Sequence, residues 1–218
     1  MSSDAYSESP ARGSSKKKDK FGVTSRRTFL KSAGLASAGV AGLDLLKETA
    51  AAQAARSNVL GPGKVPIKLR VNGQAHSLSV EPRATLAEAL RDELHMTGTK
   101  IVCDRGACSA CTVMVEKTPV CSCMTLAMDV ADRNITTVEG LAQGNNLHPV
   151  QAAFVAHDAL QCGFCTSGMV MSCAALLEKN PNPSNADVRT AISGNICRCG
   201  TYPKVMEATL AVSHSKGA

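Results

Sequence analysis

Apolar and polar residues alternate from Pro66 onward: Ile67, Leu69 and Val71 are separated by Lys68 and Arg70, and the alternation resumes at Leu78 and Val80 after Asn72-Gly73. A period of two belongs to a strand with one buried face. Asn-Gly between two such runs predicts a tight β-hairpin, because both residues tolerate positive φ. The period then changes. Thr85-Leu86-Ala87-Glu88 has the spacing of a capping box, and Leu86, Ala89, Leu90 and Leu94 fall on one helical face, which predicts a short helix from about Leu86 to Glu93. Thr112-Val113-Met114-Val115 and Ile135-Thr136-Thr137-Val138 read as two further strands. The sum is a small mixed sheet with a helix on it.

After Gly144-Asn145-Asn146 the pattern is helical. Val150, Ala153 and Phe154 predict one helix starting near His148-Pro149, and Met169, Val170, Cys173, Ala174 and Leu177 predict a second that ends at Asn180-Pro181. Ser184-Asn185-Ala186-Asp187 opens a third, and Val205, Leu210 and Val212 mark a fourth. Four short helices imply a bundle. His148 and His157 read as capping or surface residues rather than ligands.

Ahead of this body the texture differs. Met1 to Lys20 is rich in Ser and Lys without apolar periodicity, so no packed core is expected there. Arg26-Arg27-Thr28-Phe29-Leu30-Lys31, a weakly apolar stretch from Ser32 to Leu46 and an Ala-rich run from Thr49 to Ala55 come next, in that order. Paired arginines, a diluted apolar segment and small residues in that sequence are similar to the twin-arginine export signal of bacteria, which moves proteins already folded. The expected organisation is a tail and signal over 1–55, a linker over 56–65, a first domain over 66–143 and a second over 144–218. Any cleavage would fall between Ala50 and Ala55. The apolar stretch is short and contains Asp44, so a stable membrane span is not expected.

Of the formal charge of +6, residues 1–55 carry +4 and the rest +2. The positive charge therefore sits on the leader. With Phe, Tyr and Trp at 3% and no Trp, nucleic-acid binding by the folded body is excluded as a working reading. What remains unusual is the 10 cysteines.

Cys103, Cys108 and Cys111 share one loop between the helix and the third strand, and Cys121 and Cys123 stand further on. C-x4-C-x2-C with a distant fourth Cys is the plant-type spacing for a [2Fe–2S] centre, whereas structural zinc usually takes two close pairs. A loop of glycine and small residues can curl round inorganic sulfide and aim backbone N–H groups at it. Spacing alone allows either Cys121 or Cys123 as the fourth ligand. In the helical half, Cys162 and Cys165 lie at the bend between the first two helices, and Cys197 and Cys199 at the bend between the last two, so four thiols are expected at one end of the bundle. That set suits zinc or iron–sulfur, and the helix N-termini beside it would favour an anionic cluster. Cys173 reads as core.

Several segments resemble the iron–sulfur subunits of the xanthine dehydrogenase family of molybdenum hydroxylases. They are Gly98-Thr99-Lys100, Cys103 to Val113, Cys123 to Ala127, Glu139-Gly140-Leu141, Gln161 to Met169 and Gly194 to Gly200. With its export signal, the chain is most similar to the small subunit of periplasmic aldehyde oxidoreductases. The resemblance implies an α+β fold: an N-terminal β-grasp, ferredoxin-like [2Fe–2S] domain, then an all-α four-helix [2Fe–2S]-binding domain. It implies Cys103, Cys108, Cys111 and Cys123 as ligands of the first cluster, and Cys162, Cys165, Cys197 and Cys199 as ligands of the second, the one nearer molybdenum. It also implies that Gln161 and the backbone around Cys199 touch a molybdopterin, of the cytosine dinucleotide type, held by a large partner subunit. By its residues alone Gln161 reads as a helix cap.

No residue of this chain is expected to bind molybdenum or activate water, so the catalytic site belongs on the partner. The expected role is a wire: electrons from oxidation of an aldehyde or related substrate pass through the second cluster and then the first to an acceptor, an FAD subunit or a cytochrome. The alternatives are a stand-alone ferredoxin-like carrier, a zinc-binding interaction module and a disulfide-stapled secreted protein. Two positions depart from the family. Ser109 stands where Gly is usual, which is awkward if the loop needs positive φ, and Val102 precedes the first ligand where Gly is common.

Overall fold

Asn72 and Gly73 both take positive φ, 52° and 80°, and turn the chain between strands β1 (Val65–Val71) and β2 (Gln74–Val80). The computed structural model describes residues 60–215, with side chains as far as 213; the tail and twin-arginine signal expected over 1–55, and the first residues of the 56–65 linker, lie outside them. β1 and β2 pair antiparallel with Val71 opposite Gln74. Ile67, Leu69 and Val71 point into the core while Lys68 and Arg70 stay exposed, as the alternation requires.

A second hairpin joins β3 (Thr112–Val115) to β4 (Thr118–Cys121), turning at Glu116 and Lys117 with φ of 48° and 69°. The sequence pattern does not predict β4, because Glu-Lys carries no turn signal. The turn is held by Asn134: Glu116 Oε1 accepts its backbone N–H at 2.7 Å and the Glu116 N–H reaches its carbonyl at 2.9 Å, while the solvent-exposed Lys117 pairs with Glu178 at 2.5 Å. β5 (Asn134–Thr136) runs parallel to β1 and antiparallel to β3, which gives a five-stranded sheet in the order β2-β1-β5-β3-β4.

The expected strand through Val138 stops two residues early. Asn72 captures the next residue: its Oδ1 accepts the Thr137 backbone N–H at 2.9 Å and its Nδ2 donates to Thr137 Oγ1 at 2.9 Å. With Thr137 bound sideways, Val138–Gly140 forms a 3-10 turn. The expected helix over 86–93 is also modified. It opens with the capping box, Thr85 Oγ1 accepting the Glu88 N–H at 3.2 Å and the Thr85 N–H donating to Glu88 at 2.7 Å. After one α-turn, α1 (Leu86–Glu88), it widens over 89–93 so that the Leu94 N–H reaches the Ala89 carbonyl at 3.1 Å. Either winding buries Leu86, Ala89 and Leu90 on the sheet, so the apolar period does not distinguish them.

Four helices come after the sheet: α2 (Pro149–Ala156), α3 (Thr166–Lys179), α4 (Asn185–Ala191) and α5 (Tyr202–Ser215). His148 caps α2, its Nδ1 accepting the Val150 N–H at 3.3 Å, and Ser184 caps α4 by accepting the Asp187 N–H at 3.2 Å. α3 is buried almost all round from Ser167 to Ala175, because it lies between the sheet strands β3 and β4 and the helices α2, α4 and α5. Phe154, Met169, Met171, Leu177, Val205 and Val212 fill that core, each large side chain contributing about 1.5–3 kcal/mol by leaving water.

Strand β3 belongs to both halves. Val113 and Val115 enter the core beneath α1, and Met114 on the opposite face enters the helical core. The described residues thus form one compact unit rather than two bodies on a tether.

Candidate metal centres

The loop from Cys103 to Cys111 leaves regular structure because Asp104, Gly106 and Ser109 all take positive φ, 51°, 70° and 53°. This curls the chain so that its N–H groups meet its own thiols. The Ala107 N–H donates to Cys103 Sγ at 3.3 Å. Hydrogen bonds from the Arg105 backbone first, and from the Cys108 thiol and the Ala107 and Cys108 backbone besides, outweigh burial and lower the Cys103 thiol to about 7. Cys123 lies in the 3-10 turn Ser122–Met124, where burial pushes its thiol up to about 12 and Cys111 is its side-chain partner. Cys103 faces Cys108 in the same way.

The second set stands on two bends. Cys165 immediately precedes α3, and Cys199 lies three residues before α5, so two long-helix N-termini adjoin the thiols as expected. Cys165 pairs with Cys197 and Cys162 with Cys199. Burial pushes the Cys165 thiol up to about 12. Burial acts on Cys197 too, yet hydrogen bonds from Thr201, whose Oγ1 lies 3.1 Å from the sulfur, bring that thiol down to about 7. Each set therefore holds one thiol lowered to about 7 by hydrogen bonds and one pushed up to about 12 by burial, and a bound cation would favour the thiolate of both.

Among the described residues, no three His, Cys, Asp or Glu side chains meet as a site for one ion. In each set a cysteine has a second cysteine as its side-chain partner, Cys111 for Cys123 and Cys197 for Cys165, an arrangement that suits a cluster bridging several thiolates. Further signs of fit are N–H groups directed at sulfur and the Thr166 hydroxyl, buried directly after Cys165 with no hydrogen-bond partner among the described residues. The residues present fit [2Fe–2S] centres.

All eight expected ligand positions fall in these two sets. Cys173 is fully buried within α3, its thiol raised to about 11 by desolvation, and is core. Cys121 packs against Cys111 and Cys123 with its sulfur 3.7 Å from Ser109 Oγ, next to the first set but outside its pairs. Ser109 does occupy the conformation that favours glycine. Gln161 is exposed beside Cys162 and caps neither helix, since α2 ends at His157 and α3 begins from Cys165.

Other segments support the loops. The Glu139 carboxylate accepts the Gly98 N–H at 2.7 Å and the Thr137 hydroxyl at 2.6 Å, which ties the chain leading into the first loop to the end of the sheet. Tyr202 was no sequence candidate. Its hydroxyl accepts the Cys197 N–H at 2.8 Å and donates to the Asn195 carbonyl at 3.1 Å, closing the bend that carries Cys197. Its signal was an aromatic residue with a polar tip just after a C-x-C-G run. The two loops also touch: the Ile196 N–H donates to the Cys108 carbonyl at 3.1 Å.

Two family models match the chain: a 2Fe-2S iron-sulfur cluster binding domain over residues 69–142 and a [2Fe-2S] binding domain over 137–210. The chain is 44% identical over 162 residues to the aldehyde oxidoreductase iron-sulfur-binding subunit PaoA of Escherichia coli O157:H7, covering 67% of this chain and 71% of that one. It is 47% identical to the nicotine 6-hydroxylase small subunit of Paenarthrobacter nicotinovorans, covering 67% and 88%. Among solved structures, quinoline 2-oxidoreductase from Pseudomonas putida 86 superposes with a TM-score of 0.68 at 43% identity, covering 70% of this chain and 96% of that one. Paired thiols on two loops, a sheet and a helical half that share one core, and relatives more than 40% identical over two thirds of this chain agree: the chain belongs to the family of iron–sulfur subunits of molybdenum hydroxylases.

Proposed function

We propose that Cys103, Cys108, Cys111 and Cys123 hold one [2Fe–2S] cluster and Cys162, Cys165, Cys197 and Cys199 a second, and that the chain conducts electrons out of a large molybdopterin subunit. The observation that carries the assignment is a hydrogen-bonding group set against sulfur in each thiol set, the Ala107 N–H 3.3 Å from Cys103 Sγ and the Thr201 hydroxyl 3.1 Å from Cys197 Sγ, each within a region that matches a 2Fe-2S binding domain. Each cluster, when bound, accepts and releases one electron. The rest is done by this chain: it places the two ligand loops in hydrogen-bonded contact, directs N–H groups at the sulfurs, and keeps most of the first set out of water.

The end bearing Cys162 and Cys199 is the side of entry. Both thiols are exposed, and Phe164 and Ile196 beside them are 60% and 57% exposed. Apolar surface around exposed ligands suits burial under a partner and argues against a stand-alone carrier. Gln161 and the Cys199 backbone are then the groups that meet the pterin, which we assign to the cytosine dinucleotide type on the likeness to bacterial relatives. The substrate is an aldehyde or a related carbonyl or heterocycle. Electrons leave by the Cys103 side to an FAD subunit or a cytochrome.

The complex works in the periplasm in this reading, exported folded by the twin-arginine route. Arg26-Arg27-Thr28-Phe29-Leu30-Lys31 followed by a diluted apolar stretch and an Ala-rich run supports it. Thiols bound in clusters before export escape oxidation to disulfides. No helix among the described residues is long and apolar enough to cross a membrane.

The test is an anaerobic visible and EPR spectrum of the chain purified with its partner, with iron, sulfide and zinc assays. Two distinct reduced signals and about four iron per chain are expected; a colourless zinc protein overturns the assignment. For export, a folded reporter behind residues 1–55 should reach the periplasm and should stop doing so when Arg26 and Arg27 are both changed to Lys.

A further inference from the structure

Asn195 is a polar side chain 3% exposed, placed two residues before Cys197, and all its polar groups are engaged. Its Oδ1 accepts the Ser172 hydroxyl on α3 at 3.0 Å, and its Nδ2 donates to the carbonyl of Ser109 in the first loop at 3.2 Å. Its own carbonyl accepts the Tyr202 hydroxyl at 3.1 Å, and its N–H reaches the Ile192 carbonyl at 2.9 Å. One residue therefore joins the first thiol loop, the central helix and the start of α5.

The next peptide makes the contact between the loops, Ile196 N–H to the Cys108 carbonyl. That hydrogen bond connects the main chain of one ligand, Cys108, with the residue bonded to another, Cys197. It joins the two centres through few bonds. A lone hydrogen bond between two loops favours the closed arrangement over open ones by only about a factor of ten. The Asn195 amide adds a second tie between the same loops, and Ser172 fixes which way that amide faces. The Ser109 carbonyl is itself held, accepting the Thr112 hydroxyl at 2.7 Å and resting against Gly168 of α3.

We propose that Asn195 is a positioning residue for electron exchange between the two centres: it keeps the Ile196 N–H on the Cys108 carbonyl and so sets the electronic contact between the clusters. It needs to touch neither cluster. One electron leaves one reduced centre and enters the other, oxidised one, with no proton or further reagent. The proposal rests on the ligand assignment under the proposed function, and the experiment separates the two.

The holo-complex is prepared with the native chain, Asn195→Ala and Ser172→Ala. Native complex lacking two [2Fe–2S] signals would sink the ligand assignment before any variant is read. With both signals present, Asn195→Ala should retain iron content, both sets of g values and both midpoint potentials. Its low-temperature splitting between the two reduced centres should weaken, and re-equilibration of one electron between them after pulse reduction should slow by well under tenfold, because the Ile196 tie alone still holds the loops closed about ten to one. Ser172→Ala should slow it less, in the same direction. Unchanged splitting and rate in Asn195→Ala overturn the proposal. Should Asn195→Ala fail to hold its clusters, Ser172→Ala decides: a slowed exchange upholds the role and a native rate overturns it.

Discussion

The two thiol sets use the same number of cysteines and opposite construction. The first is wrapped by its own loop, with three thiols within nine residues and Cys108, Cys111 and Cys123 buried. The second is assembled from two bends some thirty residues apart and is held from the C-terminal side by Thr201 and Tyr202; its inner pair, Cys165 and Cys197, is buried and its outer pair, Cys162 and Cys199, is exposed. A centre that relays electrons inside the chain can be closed by local backbone. One that receives them from another subunit must keep a side open, so its support comes from behind.

The largest test of that contrast is removal of ligands. Cys111→Ala should abolish the first signal, and Cys197→Ala the second, each with loss of about two iron per chain. Cys162→Ala, on the exposed pair, should also lose the second cluster while leaving the fold nearer its native stability than Cys197→Ala, since no cavity forms. Equal melting of the two variants would break the distinction between inner and outer pairs.

Gly168→Ala comes next. A Cβ there would run into the Ser109 carbonyl, which is backbone and cannot swing away. The strain should cost about 1–3 kcal/mol, seen as a lowered melting temperature. It should perturb the first signal more than the second, although the substitution lies on the helix that starts the second site.

Ser109→Gly should act the other way and more weakly. At φ of 53° a serine carries a steric penalty that glycine does not, so stability should rise by up to about 1 kcal/mol. A fall would show that the Ser109 hydroxyl beside Cys121 matters more than the backbone. The smallest effect is expected from Lys117→Ala. Its pairing with Glu178 is largely in water, and the melting temperature should not move measurably.

Much of this was legible in the chain. Asn72-Gly73, the Thr85 and Ser184 capping boxes and Pro149 after His148 each act through neighbours a few residues away, and each element they predict is present. The spacing of the eight cysteines likewise fixed which loops would carry thiols. What was not legible depends on partners distant in sequence. The Glu116-Lys117 turn is made through Asn134, and β5 is cut short by Asn72, 65 residues before Thr137. The all-round burial of α3 was hidden for the same reason: its Ser167 and Gly168 are small residues where the first thiol loop comes close, and its Ser172 is covered by Asn195. In the site, Asn195, Thr201 and Tyr202 were visible only as neighbours of cysteines, and their roles are set by which loop each one reaches.

Strand β3, with Val113 and Val115 on one side and Met114 on the other, has a consequence for how such subunits can be recombined. A crossover between two relatives placed in the loop near residue 144 would cut a permissive stretch of chain and yet leave Met114 from one parent facing α3 from another. Chimeras should behave as intact proteins only when the residues facing each other across this seam, Met114 and the Ser109 loop on one side and Gly168 and Asn195 on the other, come from the same parent.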